Sequence, residues 1–397
     1  MKTIFARFAV RFAAAVLIGS LFFAAVQASA DTEGTRSVRN EIQVANVEEL
    51  YNAVNDPVNA GRQIVAAPGI YMLSAFDPGG SPRPNGGRLE FQEDMSLVGV
   101  VGDREAVVLN AINMPSSSLT GGTVPLAPIR LGRGRNSVEW LTLRDSKFGL
   151  GNIVNGLAFS GTPHIRIAHI ASTGAAYGIS FFNFGPAFSG KTLELDIVDN
   201  DLFEAAVGLR TGFRIGNFAG ATGSVVNARL TGNRVWGNQF SLIVNNGAVD
   251  STINVESAGN RYFNNGNGLA ILGGFNANGN TINFRGAGDH YIDNTAGSAF
   301  DRGGLVIVGG ENTSGPGLPN NNTVIVSLFG CRFSGNDLWD LAAIGARSFP
   351  DSLGDPGTNN HVTVNLFGTP VKPDVVEFFS DSLPVEFSAK NSVTVNR

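Results

Sequence analysis

Cysteine is nearly absent from this 397-residue chain, and the lone thiol of Cys331 excludes an internal disulfide. Charged residues are scarce, at 15%, and the formal net charge of −5 argues against a nucleic-acid partner, whose binding surface would be broadly basic. Beyond residue 26, no apolar run approaches the roughly 20 residues that a membrane-spanning helix needs. Since no Pro- or Ser-rich linker divides the chain either, we expect one domain stabilised by backbone hydrogen bonds and stacked apolar side chains.

The N-terminus has the order of residues found in a secretory signal peptide. Basic residues precede the apolar run 12–26, and small residues follow it at 28–30. We therefore predict that residues 1–30 are a signal peptide cleaved near Ala30. The mature protein, residues 31–397, is expected in the periplasm or secreted to the medium, as a monomer without a membrane span.

An internal repeat punctuated by glycine and asparagine follows. In four aligned segments a Gly precedes Asn, Asp or Cys, and an Asn returns five residues later: 231–238, 258–265, 287–294 and 329–336. An alternating strand precedes each segment, and a second apolar strand follows it. Constant strands with uneven periods are typical of a solenoid whose insertions fall in loops on one face.

Each repeat predicts one coil of three short strands, which pair in parallel with their copies in the next coil about 4.8 Å away. The Asn after Gly fits a bend between strands, where its side chain can bond to backbone groups. Stacked along the axis, these residues predict an asparagine ladder that includes Asn200, Asn233, Asn260, Asp289 and Cys331. Cys331 is interpreted as a small buried packing residue of that ladder.

The N-terminal part of the mature chain fits the same plan. Apolar residues at helical spacing predict a helix over 47–54 that caps the first coil, with the coils running from 63 to 390. This helix, the turn Pro68-Gly-Ile-Tyr71, the strand 96–102 and the Gly/Asn-punctuated coils resemble the pectin-lyase-like superfamily. The resemblance implies an all-β fold, a right-handed parallel β-helix with three strands per coil and an N-terminal capping helix. It covers nearly the whole mature chain but selects no reaction, because the motifs of polygalacturonases and pectate lyases do not occur.

In the strand before the Asn bend, alternation predicts two outward columns. The first column contains His164, Glu194, Asn227, Asn254 and Asn283. The second alternates in charge and contains Arg166, Asp196, Arg229, Glu256 and Arg285. We interpret the second as a solvated ion-pair ladder, with a functional acidic-basic cleft as the open alternative.

The Gly-Leu strand predicts a third outward column, mostly small or apolar: Arg130, Ala158, Ser180, Arg210, Ile243, Ala270, Val306 and Ala342. Its arginines, with others in nearby turns, could bind carboxylate or sulfate groups through their planar guanidinium. In the resembling enzymes the substrate groove commonly lies along this face. We therefore predict substrate binding by Arg130, Arg133, Arg135 and Arg214, and Arg210 as the base of a lyase. The alternative is that these arginines hold loop carbonyls and nearby acids.

Two functions stay open at this point. The first is an exported β-helix that binds carbohydrate or serves as an envelope or surface scaffold without a catalytic motif. The second is a polysaccharide lyase acting on an uronate polymer, and if the chain is an enzyme, a glycoside hydrolase is the other class. An acidic polysaccharide is the expected partner, with a neutral glycan or a scaffold function as the alternative. No cofactor is predicted, and no His or Cys pair has transition-metal spacing. Calcium stays open, since Asp196, Asp199 and Asp201 could supply oxygens.

Overall fold

The three-sheet architecture is seen in a computed structural model, which describes residues 41–114, 127–146, 152–155, 162–174, 177–203, 211–295, 303–313, 319–348, 357–371, 373–379 and 391–397. Within these residues the strands form sheets of 12, ten and nine strands, and all pairings between these strands are parallel. A complete coil gives one strand to each sheet in turn. The prediction of a parallel β-helix with three strands per coil is confirmed.

The 12-stranded sheet has the most regular strands. In spatial order they are β1 (Glu41–Val44), β2 (Gln63–Ala66), β5 (Ser96–Val98), β8 (Arg135–Glu139), β11 (His164–Ala168), β14 (Thr192–Val198), β17 (Val225–Thr231), β20 (Thr252–Ala258), β23 (Thr281–Ala287), β26 (Thr323–Phe329), β29 (His361–Phe367) and β31 (Ser392–Asn396). Alternate residues point inward, so that Leu195, Ala228 and Val255 are neighbours in register and are buried.

The nine-stranded sheet has short strands, which in most coils are two or three residues long. They are β3 (Gly69–Ser74), β6 (Val107–Asn113), β9 (Thr142–Arg144), β12 (Ala171–Ser172), β15 (Asp201–Phe203), β18 (Arg234–Trp236), β21 (Arg261–Phe263), β24 (His290–Ile292) and β27 (Arg332–Ser334). Only the middle residue of each three-residue strand points inward, so the flanking residues share the outer face.

The ten-stranded sheet completes each coil before the chain returns to the 12-stranded sheet. Its strands are β4 (Leu89–Glu90), β7 (Ile129–Leu131), β10 (Ile153–Asn155), β13 (Tyr177–Asn183), β16 (Thr211–Asn217), β19 (Phe240–Asn246), β22 (Asn267–Leu272), β25 (Gly303–Asn312), β28 (Trp339–Ser348) and β30 (Asp374–Phe379). Inward Val, Ile, Leu and Phe of all three sheets form one continuous core along the axis.

A helix, α1 (Val47–Asn55), lies against strands β1 to β4 at the first coil, where the sequence predicts a cap. Asn46 begins it, because its Oδ1 accepts from the Glu49 backbone N–H at 2.9 Å, while Glu49 accepts from the Ala45 N–H at 2.7 Å. Leu50 and Val54 of the helix are buried. Short 3-10 turns span Pro57–Asn59, Pro84–Gly87 and Pro186–Phe188.

A column of fully buried polar side chains occupies the corner between the 12-stranded and nine-stranded sheets. Asn200 Nδ2 donates to Asn233 Oδ1 at 2.9 Å, Asn233 Nδ2 to Asn260 Oδ1 at 2.9 Å, and Asn260 Nδ2 to Asp289 Oδ1 at 3.1 Å. Each acceptor oxygen also takes the backbone N–H of the preceding residue in the column, at 2.8–3.0 Å. These side chains therefore pair the turn N–H groups, which would otherwise be buried without a partner.

The other two corners carry amide columns that the sequence analysis did not identify. The corner between the nine-stranded and ten-stranded sheets has Asn238, Asn265, Asn294 and Asn336. The corner between the ten-stranded and 12-stranded sheets has Ser251, Asn280, Asn322, Asn360 and Asn391. In both of these corners, a side-chain oxygen accepts a hydrogen bond from the backbone N–H of the preceding residue in the column, as in the first corner.

Cys331 follows Asp289 in the first corner and is buried. Its backbone N–H donates to Thr369 Oγ1 at 3.1 Å. Burial raises the pKa of the thiol to about 12, so the thiolate that reacts or binds metal is not formed at neutral pH. The geometry fits its interpretation as a packing residue.

The buried column at the first corner predicts that replacing Asn260 costs more stability than replacing Asn254 of the same coil. Asn260→Leu would leave the buried Asn233 N–H without its acceptor, at a cost of about 1–3 kcal/mol. Asn254→Leu changes a half-buried outer side chain whose neighbours can bond to water instead. Chemical denaturation of both variants should show the larger loss of unfolding free energy for Asn260→Leu. Equal losses would contradict the placement of Asn260.

Because the carboxyl group of Asp289 is buried, we expect the free energy of unfolding to depend on pH in an unusual way. Burial raises its pKa from 3.8 to about 6, although Ser257 and Asn260 donate hydrogen bonds to the carboxylate. Between these two pH values the folded chain holds a proton that the unfolded chain has released, so the unfolding free energy falls as pH rises through this window. Asp289→Asn should therefore raise stability near neutral pH by on the order of 2 kcal/mol and have little effect near pH 4. Denaturation midpoints of the variant and the parent at both pH values measure this change in stability. An equal increase in stability at both pH values would contradict the proposed link to the pKa of Asp289.

Candidate functional site

The outer face of the 12-stranded sheet carries the two predicted polar columns, and the register confirms both. His164, Glu194, Asn227, Asn254 and Asn283 are successive partners. The second column consists of Arg166, Asp196, Arg229, Glu256 and Arg285. Arg135 pairs with His164 and so extends the first column by one coil.

The first column forms a chain of hydrogen-bonded amides. Asn227 Nδ2 donates to Glu194 Oε1, Asn254 Nδ2 to Asn227 Oδ1, and Asn283 Nδ2 to Asn254 Oδ1, each at 2.8 Å. An amide has two N–H donors and an oxygen with two lone pairs, so this chain uses only half of each interior group. The other half is directed to the partly open outer face, where hydroxyl groups of a ligand could bond to it.

Charges of opposite sign are neighbours along the second column. Asp196 lies at its centre, with Oδ2 3.3 Å from His164 Nε2 and Oδ1 3.7 Å from Arg229 Nη1. Arg229 Nε is also 3.7 Å from Glu256 Oε2. The hydrogen bond from His164, followed by the charge of Arg229, lowers the pKa of Asp196 against the opposing effect of burial. His164 is thus an imidazole oriented by an ionised carboxylate, an arrangement able to exchange a proton with a bound molecule.

These columns line a shallow groove that runs along the helix axis, and we call it the axial groove. Its first part, about 320 Å³, is lined by His164, Glu194, Leu195, Asp196, Asn227, Ala228, Arg229, Asn254 and Glu256. Its second part, about 470 Å³, begins at Asn254 and Glu256 and continues along Asn283, Phe284, Arg285, Ile325, Ser327, Phe329 and Phe367. The two parts share residues of β20, so they form one surface several coils long.

An aromatic platform ends the axial groove. Phe329 and Phe367 are partners in register, with ring centroids 4.7 Å apart and planes within 14° of parallel. The Arg285 guanidinium lies 4.7 Å from the centre of the Phe329 ring. Phe367 is half-exposed, so an apolar ring face is open at this end.

The predicted site arginines lie on two sheets, and Arg130 and Arg214 share one outward column, three coil steps apart. Arg130 is on the ten-stranded sheet and forms an ion pair with Glu90, whereas Arg135 is on the 12-stranded sheet. Arg133 is exposed in the turn between them. Arg214 is on the ten-stranded sheet, half-buried, with its guanidinium 4.9 Å from the Phe218 ring centre.

The predicted column of the ten-stranded sheet needs a correction in its register. Val154 and Arg214 are the partners of Ser180, in the places assigned to Ala158 and Arg210. Asn200 and Phe213 are 13 residues apart, whereas Asn233 and Leu242 in the next coil are nine apart, so this coil has four more residues in its link. Arg210 and Ala158 themselves lie outside the described residues.

Part of this face is also buried, contrary to the prediction of an open substrate groove. Ile243, Ala270, Val306 and Ala342 have outer positions yet are at most 7% exposed. They pack with Phe240, Leu272, Val308 and Ile344 in a second apolar cluster, separate from the core. The small and apolar residues of this column were the feature of the sequence that indicated burial, since a face exposed to water would carry polar side chains.

No group of three or more His, Cys, Asp or Glu with metal-binding geometry occurs in the part of the chain that the structure describes. The three aspartates considered for calcium have protein partners, and Asp199 and Asp201 share the guanidinium of Arg104, at 2.9 and 3.4 Å. Asp196 contacts His164, Asp199 contacts His169 at 2.9 Å, and Asp201 accepts from Arg234 Nε at 2.7 Å. Within the same residues, no helix is long and apolar enough to cross a membrane.

Comparison with known proteins gives structural similarities only. No protein-family model and no curated protein matches the chain. Among solved structures, the A-module of the Azotobacter vinelandii mannuronan C-5 epimerase AlgE4 matches with a TM-score of 0.38 and 12% identity, over 86% of this chain and 100% of that one. The AlgE6 A-module gives 0.36 and 14% over the same shares. The periplasmic alginate epimerase AlgG gives 0.33 and 11%, over 86% of this chain and 85% of that one. The function proposed below is argued from this chain's own groove and not from these proteins.

Proposed function

We propose that this protein binds polysaccharide, with an extended glycan lying along the axial groove. The observation that carries the proposal is the chain of amides from Asn227 to Asn283, which ends on the Glu194 carboxylate. Each coil step of about 4.8 Å presents the same amide again, as a polymer presents the same hydroxyl groups again. A repeating ligand can therefore make equivalent contacts in successive coils.

The chemistry of the groove suits a neutral or sparsely charged glycan. Planar amides and carboxylates can each bond to sugar hydroxyls through a donor and an acceptor, or through two acceptors. Asp196 is already paired with His164 and Arg229, and Arg229 with Glu256, so a polyanion would gain little from these charges. The open face of Phe367 offers an apolar contact for one sugar ring at the end of the groove.

The groove is shallow, which favours a long ligand over a small one. Small-molecule sites are usually concave and enclose most of their ligand. The axial groove is a surface depression that follows the sheet across β11 to β29, so affinity must come from many weak contacts along a chain. We propose a binding protein on this basis, which is the carbohydrate-binding alternative that the sequence left open.

The proposed function predicts that outer amides matter for binding. Asn227→Ala combined with Asn254→Ala should weaken binding of a neutral polysaccharide by about tenfold, since several hydrogen bonds of about 1 kcal/mol each are lost. Affinity electrophoresis against methyl-esterified pectin, xylan and galactomannan measures it. The matched control is Asn365→Ala with Asn396→Ala, an amide pair on the same sheet outside the groove lining. Equal weakening by both doubles, or no binding of any of these polymers, would contradict the proposal.

We also propose that the chain is exported, because an extracellular or periplasmic location is where polysaccharide would be met. The support is the N-terminal order of basic, apolar and small residues over 1–30. Expression in a bacterium with an export pathway should yield a protein in the periplasm or medium whose mass begins near Asp31. A cytoplasmic product that retains Met1 and the apolar run would contradict export.

A further inference from the structure

The outer face of the nine-stranded sheet carries a column of basic residues. Arg234, Arg261, His290 and Arg332 are successive partners in register. The three arginines are exposed and His290 is half-buried. Four basic side chains thus follow one another at the coil step of about 4.8 Å.

Aromatic rings form the neighbouring column on this face. Phe203 and Trp236 have centroids 4.6 Å apart and planes within 6°, and Trp236 and Phe263 have centroids 5.5 Å apart and planes within 16°. All three rings are partly exposed. The Arg261 guanidinium lies 5.6 Å from the Phe263 centroid, so the two columns touch.

Most of the positive charge has no acidic partner. Arg234 forms a two-point ion pair with Asp201 at one end of the column. Among the described residues, Arg261, His290 and Arg332 form no ion pair with an acid. Partial burial, followed by the charges of Arg332 and Arg261, lowers the pKa of His290, and no carboxylate opposes them.

The outer face of the 12-stranded sheet has a different arrangement of charged residues. Along the 12-stranded sheet, charges alternate in sign from Arg166 to Arg285. Like charges directly opposite each other in neighbouring strands are destabilising, so alternation is the favourable arrangement. Arg234 and Arg261 are direct partners and Arg332 follows two coils further on, so this run of arginines on a protein with a net charge of −5 indicates a ligand that supplies negative charge.

We propose that this surface, the basic-aromatic strip of Phe203, Arg234, Trp236, Arg261, Phe263, His290 and Arg332, is a second glycan site that binds an acidic polysaccharide. Sugar rings lie on the aromatic column, and their carboxylate or sulfate groups bind Arg261, His290 and Arg332. Guanidinium groups bind such anions in a two-point geometry. The strip is on a different sheet from the axial groove and differs from it in charge, so the two sites select different polymers.

Two polymers with the same backbone test the strip, namely polygalacturonate and its neutral methyl ester. At low ionic strength, Arg261→Gln with Arg332→Gln should weaken polygalacturonate binding by about tenfold and reduce its dependence on salt. Trp236→Ala should weaken it as well, because the sugar loses its stacking surface. Binding of the methyl ester at the axial groove should stay unchanged in the arginine double. Since both arginines are exposed, thermal unfolding should be unchanged or slightly higher once the like charges are removed.

The matched control is Arg62→Gln with Arg397→Gln, which removes the same formal charge from residues outside both sites and outside the arginines predicted from the sequence. It should leave polygalacturonate binding nearly unchanged. Equal weakening by the two doubles would mean diffuse electrostatics and overturn the proposal. Absence of polygalacturonate binding at low salt would overturn it too. If inorganic polyphosphate binds as tightly and Trp236→Ala has no effect, the strip binds anions without selecting a glycan, which would also refute it.

Discussion

Parallel pairing in register is the constraint on which the rest of the structure depends. Because each strand pairs with its copy in the next coil, every position is repeated at about 4.8 Å in a column of neighbours. A side chain must therefore be compatible with the residues above and below it. Amides meet this condition through donor-to-acceptor chains, aromatic rings through stacking, and charges through alternation in sign. Amide chains occupy the buried corners and the first column of the axial groove, Phe329 and Phe367 stack at the end of the groove, and its second column alternates in charge.

Much of the fold could be predicted because some spacings stay constant. Six residues separate Glu194 from Asn200, and the same number separates Asn227 from Asn233 and Asn254 from Asn260. A constant offset between a strand and its bend fixes which residues point outward, so the columns of the 12-stranded sheet were predicted residue by residue. The ten-stranded sheet follows a link of variable length, which moved the register from Arg210 to Arg214.

The candidate sites were harder to predict than the fold. From the sequence, the charged column was interpreted as an ion-pair ladder, with a functional cleft as the alternative, and the site was predicted at arginines of the Gly-Leu strand and its nearby turns. Pairing of Arg130 with Glu90 and burial of Ile243 and Ala270 depend on contacts between distant residues, which spacing alone does not reveal. The basic-aromatic strip was visible in the sequence as Arg-x-Trp at 234–236 and Arg-x-Phe at 261–263. Its interpretation as a site depends on the lack of an ion pair between an acid and Arg261, His290 or Arg332 among the described residues, which requires the register of the nine-stranded sheet.

On the proposed function, glycan lies along the helix axis on the 12-stranded sheet. A crystal structure with a bound oligosaccharide of the tightest-binding neutral polymer is the most direct test. We expect sugar residues parallel to the axis, with hydroxyl groups bonded to Asn227 and Asn254 and the last ring near Phe367. Sugar bound instead on the ten-stranded sheet, beside Arg130 or Arg214, would contradict it and restore the site expected from the sequence.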